Sequence, residues 1–120
     1  MRMGPGEDLL GSIKSLVRQR GIREGVILSL IGTLRAVQVR YYLGPEGQRV
    51  VKRSGHYELV NGSGIFFTDQ EDVFVHAHFE VSSLSETLGG HLVEGNIVDV
   101  VAIAVVAEVE DADLKSLIKS

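Results

Sequence analysis

Three of the four histidines of the chain lie within one short segment, VHAHFEVSSLSETLGGHLVEG, at residues 75–95. His76 and His78 are separated by a single residue, and His91 follows a Gly-Gly pair. On a strand, side chains two residues apart point to the same side, with Cα atoms about 6.5–7 Å apart. Two imidazoles at that spacing can lean together and bind one zinc ion at about 2.0–2.1 Å. The His-x-His spacing therefore fits a pair of metal ligands.

The third histidine, His91, would complete the site. Gly89-Gly90 predicts a turn, because glycine adopts backbone angles that are closed to other residues, and this turn would bring His91 across to the pair. Three neutral histidines leave the fourth position of a tetrahedral ion open to water or a small-molecule ligand. The alternative interpretation is that all three are ordinary solvated histidines, since a short motif is a hypothesis.

Two carboxylates lie close to these histidines in the sequence. Glu80 and Glu94 could orient the metal ligands or make the potential more favourable for a cation. The alternative is that each is simply an exposed carboxylate.

Residues 73–82 alternate between apolar and polar side chains, which predicts the strand that carries the His-x-His pair. One side of this strand is expected to be fully apolar and buried, with the histidines on the other side. The apolar side consists of Val73, Val75, Ala77, Phe79 and Val81.

One amphipathic helix precedes the strands. Glu7 and Asp8 follow Pro5-Gly6 and predict its start, since acids stabilise the positive end of a helix. Apolar residues then recur at helical spacing, and Gly21 is well placed to end a helix of about four turns. These apolar residues are Leu9, Ile13, Leu16 and Val17.

The remainder of the chain predicts strands and turns. Strands are expected in GVILSLIG, LRAVQVRYY and HYELV, and turns in LGPEGQ and NGSG. Residues 97–109 are apolar on both sides, which predicts a central strand or one covered by a partner subunit. The tail DADLKSLIKS is either a short helix or an extended arm. Residues 1–120 are therefore expected to form a single strand-rich α+β domain.

The composition is that of an ordinary globular protein, with 44% hydrophobic and 23% charged residues in 120. The longest uncharged apolar run, VVAIAVVA, is far shorter than the roughly 20 residues that span a bilayer. The N-terminus lacks the hydrophobic segment of a secretory signal, and the chain has no cysteine. We therefore expect a cytoplasmic protein without disulfides and without a membrane partner.

Charge is distributed unevenly along the chain. Ten basic and four acidic residues occur up to Arg53, whereas two basic and twelve acidic residues follow it. The halves could interleave in one sheet so that the charges mix, which is the interpretation we favour. The alternatives are a basic surface that meets phosphate, or subunits that pair opposite charges.

Four segments resemble the plant-and-prokaryote conserved (PPC) domain in its stand-alone prokaryotic form. They are PGEDLLGSIKSLVRQRGIREGVILSLIGTL, GHYELVNGSG, VHAHFEV and GGHLVEG, and they follow one another in the family's order. The resemblance covers residues 5–109. GGHLVEG with an upstream His-x-His is its most specific part.

The resemblance implies an α/β fold of the α+β type, with a mostly antiparallel sheet flanked by helices and assembled as a homotrimer. It implies that zinc, or another divalent transition metal, is bound by His76, His78 and His91. Plant members usually carry arginine where this chain has His56, so partner contacts made by that arginine are not carried over.

The resemblance also makes DNA a candidate partner, because prokaryotic members are often described as DNA-binding by prediction. The sequence gives this weak support, since it has no AT-hook and a pI near 5.5. Two basic clusters could still form a basic face, or could be solvated surface or subunit contacts. They are Arg18, Arg20 and Arg23, and Arg49, Lys52 and Arg53.

Two function classes follow. The first is a zinc-binding protein of binding or regulatory type, with or without DNA. The second is a small zinc enzyme that acts on a carbonyl or carboxylate compound, because the family's fold is similar to that of acetolactate decarboxylase. Such an enzyme needs an acid or base near the metal, and Glu58, Glu80 or Arg40 could supply it.

Overall fold

Among the residues that the structure describes, 1–119, six antiparallel strands form one sheet with two flanking helices. The structure is a computed structural model. The strands are β1 (Arg2–Met3), β2 (Glu24–Tyr42), β3 (Gln48–Asp69), β4 (Asp72–Ser82), β5 (Thr87–Leu92) and β6 (Ile97–Glu108). The helices are α1 (Leu9–Arg20) and α2 (Leu114–Lys119), and a 3-10 turn covers Gly44–Glu46. The predicted fold class is confirmed, and the tail forms a short helix as one of the two alternatives.

The sheet closes into a ring through β5, the strand that carries His91. Its strand order is β1-β6-β2-β3-β4-β5, and β5 pairs a second time with β2. This extra pairing joins Val39 to Leu92 and Arg40 to His91. Strands β2, β3, β4 and β5 therefore form a closed ring, in which β5 lies between β4 and the end of β2.

Helix α1 covers the buried side of the sheet. Its N-cap is Asp8, whose carboxylate accepts a hydrogen bond from the Gly11 amide at 2.8 Å, and Gly21 ends it in the left-handed conformation. The helix has 12 residues, about three turns, which is shorter than the sequence predicted. Its fully buried side chains are Leu9, Ile13 and Val17.

The predicted alternation of β4 is confirmed, and it fixes which side of the sheet carries polar groups. Val73, Ala77, Phe79 and Val81 are buried in the core, whereas His76, His78 and Glu80 are exposed. The apolar side of β4 thus packs inward and leaves its histidines facing away from the core.

The turn predicted at NGSG is wrong, because Asn61, Gly62, Ser63 and Gly64 all lie inside the continuous strand β3. A Cβ at Gly62 would approach Leu30 Cδ1 to 2.7 Å, and one at Gly64 would overlap the backbone of β4. These glycines allow β3 to lie close to its neighbours and do not serve to reverse the chain.

Strand β6 lies between β1 and β2, as expected for a central strand, but only one of its sides is covered. Ala102 and Ala104 are fully buried, whereas Ile103 and Val105 on the other side are 41% and 48% exposed. Ile103 pairs with Ile31 of β2, and Val105 pairs with Ser29. We define the apolar patch as Leu28, Ile31, Ile103 and Val105, all of which are exposed.

The basic and acidic halves of the chain interleave, as the favoured interpretation predicted, because β2 pairs with both β5 and β6. Within residues 1–119, no helix has the length and apolar character needed to cross a bilayer.

Candidate metal centre

Strands β4 and β5 bring the three predicted histidines together. His76 and His78 project from the same side of β4, and His91 on β5 is the direct cross-strand partner of His78. The three ring centroids are 5.5–5.6 Å apart in every pair. One ring nitrogen from each histidine lies within 4.8 Å of the other two. The trio therefore forms a compact triangle of imidazoles on the exposed side of the sheet.

This triangle fits a tetrahedral metal ion. Zn–N bonds of about 2.0–2.1 Å place ligand nitrogens about 3.3 Å apart, so each ring would shift inward by less than about 1 Å. The site has three nitrogen donors, and no Asp or Glu among residues 1–119 joins the cluster. Three ligands of this type leave a fourth coordination position open toward solvent.

The route by which His91 reaches the pair differs from the predicted one. Gly89 and Gly90 do not form a turn but lie inside β5, and the chain reverses at residues 83–86, where the Ser83 amide donates to Glu86 O at 2.8 Å. A Cβ at Gly90 would approach Val39 Cγ1 to 2.9 Å. Glycine is therefore needed where β5 packs closely against β2.

The surroundings of His91 favour its neutral imidazole. Partial burial lowers the pKa of His91, and the positive charge of Arg40 lowers it further, with smaller effects from His76 and His78. A lowered pKa favours the deprotonated ring. Neutral imidazole is the form that donates a lone pair to a metal.

A pocket of about 430 Å³ opens beside the three histidines. Arg40 contributes to it because Arg40 is the direct cross-strand partner of His91, so the two side chains lie on the same side of the sheet. Tyr42 and Gln48, which also pair with each other across β2 and β3, line the same pocket. Of the candidate acid or base residues, the structure thus places Arg40 beside the histidines, and it adds two polar groups, Tyr42 and Gln48, that the sequence analysis did not name.

The sequence matches the family described as the Plants and Prokaryotes Conserved (PCC) domain over residues 1–110. The chain belongs to this family. A solved PPC protein from Pyrococcus horikoshii is 32% identical, with a TM-score of 0.82 over 94% of this chain and 78% of that one. A protein from Archaeoglobus fulgidus described as metal-containing is 25% identical, with a TM-score of 0.79 over 90% of this chain and 76% of that one.

One curated relative is much longer than this PPC chain. Bifunctional protein GlmU from Synechococcus is 30% identical over 109 residues, which is 90% of this chain and 16% of that protein. This chain therefore spans about a sixth of the length of that relative. The similarity concerns the PPC segment, and the activity of the whole relative does not follow from it.

Some similar folds belong to proteins described in terms of DNA. A candidate DNA-binding protein from Bacteroides thetaiotaomicron is 19% identical, with a TM-score of 0.80 over 92% of this chain and 77% of that one. At this identity the comparison shows the fold alone.

The two basic clusters of the PPC chain lie at opposite ends of its longest hairpin. Arg23 precedes the start of β2, whereas Arg49 pairs with Tyr41 near the end of that strand. Arg18 and Arg23 of the first cluster also line a pocket together with Asp69 and Glu71, so this end of the hairpin carries charges of both signs. Within one chain, the clusters do not form the continuous basic face that the sequence left open.

None of the remaining candidate residues lines the histidine pocket. Glu94 approaches Lys14 of α1 at 3.9 Å. His56 pairs with Asp99 at 3.6 Å and lines a separate pocket together with Glu58. Glu80 shares the exposed side of β4 with the histidines but does not line their pocket.

A buried amide that the sequence analysis missed anchors the segment just after His91. Asn96 is fully buried, and its Nδ2 donates to Gln38 O at 2.8 Å and to Val93 O at 2.9 Å. Its Oδ1 accepts from the Gln38 amide at 3.0 Å. Asp8 adds a further bond, accepting from the Gly95 amide at 2.7 Å. These bonds tie the end of β5 to β2 and α1, and no periodic signal in the sequence indicates them.

Proposed function

We propose that this PPC chain is a metal-binding protein of binding or regulatory type. Its ion is zinc or another divalent transition metal, held by His76, His78 and His91. The observation that carries the proposal is the triangle of imidazole nitrogens within 4.8 Å of one another, at the mouth of an open pocket. Imidazole ligands suit zinc, copper, iron and nickel, and no cysteine is present to favour a closed thiolate site.

The chain's own residues prepare this site before any ion is present. Pairing of His78 with His91 fixes two of the donors, and the inward packing of β4 holds the third on the same side. A bound ion of this type supplies a Lewis-acidic position that can take water or a small ligand.

The test is the metal content of the purified protein after loading with zinc and removal of excess. We expect about one ion per chain for the wild type and little for His78→Ala. The matched control is His56→Ala, which removes the fourth histidine and should retain the wild-type content. A His78→Ala variant that kept its ion would contradict the ligand assignment, and circular dichroism of each variant would show whether the fold is preserved.

We also propose that the chain assembles as a homotrimer through the apolar patch. Exposed apolar side chains that lie together in one patch often mark a surface to which another protein binds. Ile31 and Ile103 are direct cross-strand neighbours and both are exposed, so one partner chain could cover both. Native mass measured by light scattering tests this, and a single-chain mass at high protein concentration would contradict it.

DNA is the second candidate partner, favoured by the basic residues at the two ends of the long hairpin. Binding would require an assembly that brings clusters from different chains together, because one chain separates them. Fluorescence anisotropy of a labelled duplex at low and moderate salt tests this, since phosphate contacts weaken steeply as salt rises. Failure to bind at low salt would remove DNA from consideration.

The enzyme alternative receives less support from the pocket. Glu58 lines a different pocket, and Glu80 does not line the one beside the histidines. Of the proposed acid or base groups only Arg40 lines it, and a guanidinium stays protonated in proteins and cannot act as a general base.

A further inference from the structure

We propose that the pocket beside the three histidines binds a small organic carboxylate, which Arg40 holds and which occupies the open position of the metal ion. This inference rests on the proposed metal site and names the class of ligand that site takes. The residues that would recognise the ligand are Arg40, Tyr42 and Gln48.

The charge of the pocket favours an anionic ligand. A divalent ion bound by three neutral imidazoles keeps its full charge of +2, and Arg40 adds another positive charge directly beside His91. No Asp or Glu of the described chain lines this pocket to offset them. Positive charges this close repel one another, and an anion in the pocket would relieve that repulsion.

Among residues 1–119, the Arg40 side chain has no hydrogen-bond or salt-bridge partner. Arg53, by contrast, binds the Glu86 carboxylate at 2.8 Å, and Arg18 donates to Glu71 O at 3.2 Å. Arg40 is also half-buried in a pocket. A half-buried arginine that pairs with no acid of residues 1–119 is suited to bind an external carboxylate.

The positions of the side chains also favour a carboxylate ligand. His78, His91 and Arg40 form a row across three adjacent strands, because His78 pairs with His91 and His91 pairs with Arg40. Paired residues in an antiparallel sheet place their Cβ atoms about 4.5–5.5 Å apart on one side. One carboxylate can therefore face the histidine triangle and the guanidinium together. The planar fork of arginine matches the two oxygens of a carboxylate.

The pocket's remaining wall sets the size and polarity of the ligand. Tyr42 and Gln48 are exposed at the rim, where a hydroxyl and an amide can hydrogen-bond a polar substituent. A volume of about 430 Å³ is at the small end of the range for ligand pockets. The site therefore suits a compact organic acid.

The experiment uses the full chain loaded with Co²⁺, whose visible absorption reports the ligands on the metal. Acetate is the probe, added in a buffer without other carboxylates. We expect the cobalt spectrum of the wild type to change saturably with acetate. Arg40→Gln should retain its metal and bind acetate about 10- to 100-fold more weakly.

Arg35→Gln is the matched control, because Arg35 lies on the same strand β2 but does not line the pocket. It should bind acetate as the wild type does. Equal acetate binding by the Arg40→Gln and wild-type proteins would overturn the role of Arg40. Loss of cobalt from Arg40→Gln would also overturn it, since Arg40 would then hold the histidines in place.

Further outcomes separate this inference from the proposed function. If the wild-type chain takes up no metal, the proposed metal site is wrong. If it holds cobalt but its spectrum does not change with acetate, the metal site stands and the carboxylate inference is wrong. Inorganic phosphate binding more tightly than acetate would overturn the ligand class, because the same guanidinium can also pair with phosphate.

Discussion

Two regions on the exposed side of the sheet contrast in chemistry, although the same strand contributes to both. The early part of β2 supplies Leu28 and Ile31 to the apolar patch, and its end supplies Arg40 and Tyr42 to the histidine pocket. The patch offers apolar surface to water, whereas the pocket offers nitrogen donors and the cation Arg40. Within residues 1–119, no side chain covers the patch and no carboxylate lines the pocket.

Because of this difference, the two regions require partners of different kinds. Apolar surface is stabilised by any well-fitting apolar surface, and its association depends weakly on salt. A pocket with positive charge and three aligned imidazoles is stabilised by a metal ion and an anion, and the anion step weakens as salt screens charge. Changes in one region should therefore leave the function of the other intact.

The largest effect is expected from zinc itself. At a free zinc concentration 100 times the dissociation constant, the folded wild type should gain about 2.7 kcal/mol of stability against urea. His78→Ala should lose nearly all of this gain, because a ligand-deficient site binds far more weakly. Urea unfolding with and without zinc measures it. An equal gain in the His78→Ala protein would show that the ion stabilises the chain from another place.

The apolar patch is tested by Ile103→Lys, which places an ammonium group where we propose that subunits meet. Burying that charge costs several kcal/mol, so the native mass should fall from a trimer toward the single chain of 13.0 kDa. Leu84→Lys is the control, since Leu84 is exposed in the turn before β5. Both variants should keep their zinc. If Ile103→Lys lost its zinc together with its assembly, the two regions would not be independent.

A smaller effect is expected from Asn96→Ala. The variant leaves the part-buried amide and carbonyl groups of Gln38, and the carbonyl of Val93, without the side-chain partner that Asn96 supplies, which should cost about 1–3 kcal/mol of folding stability. Because these bonds hold the segment after His91, zinc affinity should also fall while the native mass is unchanged. The exposed Gln19→Ala serves as control. If Asn96→Ala instead lost its assembly and kept normal zinc affinity, the prediction would be contradicted, because the effect would then lie at the apolar patch and not at the metal site.

Local signals predicted the elements that depend on local rules. The alternation of apolar and polar side chains predicted β4, and Asp8 and Gly21 predicted the two ends of α1. The spacing of His76 and His78 gave two donors on one side of a strand, which the structure reproduces. Each of these depends on residues within a few positions of one another.

The errors concern glycine and long-range pairing. The sequence predicts turns at Gly64 and Gly90. Both residues instead lie in strands, where a side chain would collide with a neighbouring strand. A positive φ and a close approach both select glycine, so the residue type alone does not separate them. The pairing of Arg40 with His91 joins positions far apart in sequence, and no local pattern encodes it.

The smallest effect concerns the turn that leads into β5, the strand that carries His91. Tyr57 donates to the Glu86 carboxylate at 2.6 Å, and this bond, with a further contribution from Arg53, lowers the pKa of Glu86 against the opposing effect of partial burial. A carboxyl whose pKa is lower in the folded state stabilises the fold above its unfolded pKa, and that stability is lost as the pH falls through the folded value. Tyr57→Phe should therefore be less stable than the wild type at neutral pH, with a difference that shrinks in acid. Urea unfolding at several pH values measures this, with the exposed Tyr42→Phe as control. A difference that does not change with pH would assign the effect to packing of the Tyr57 ring.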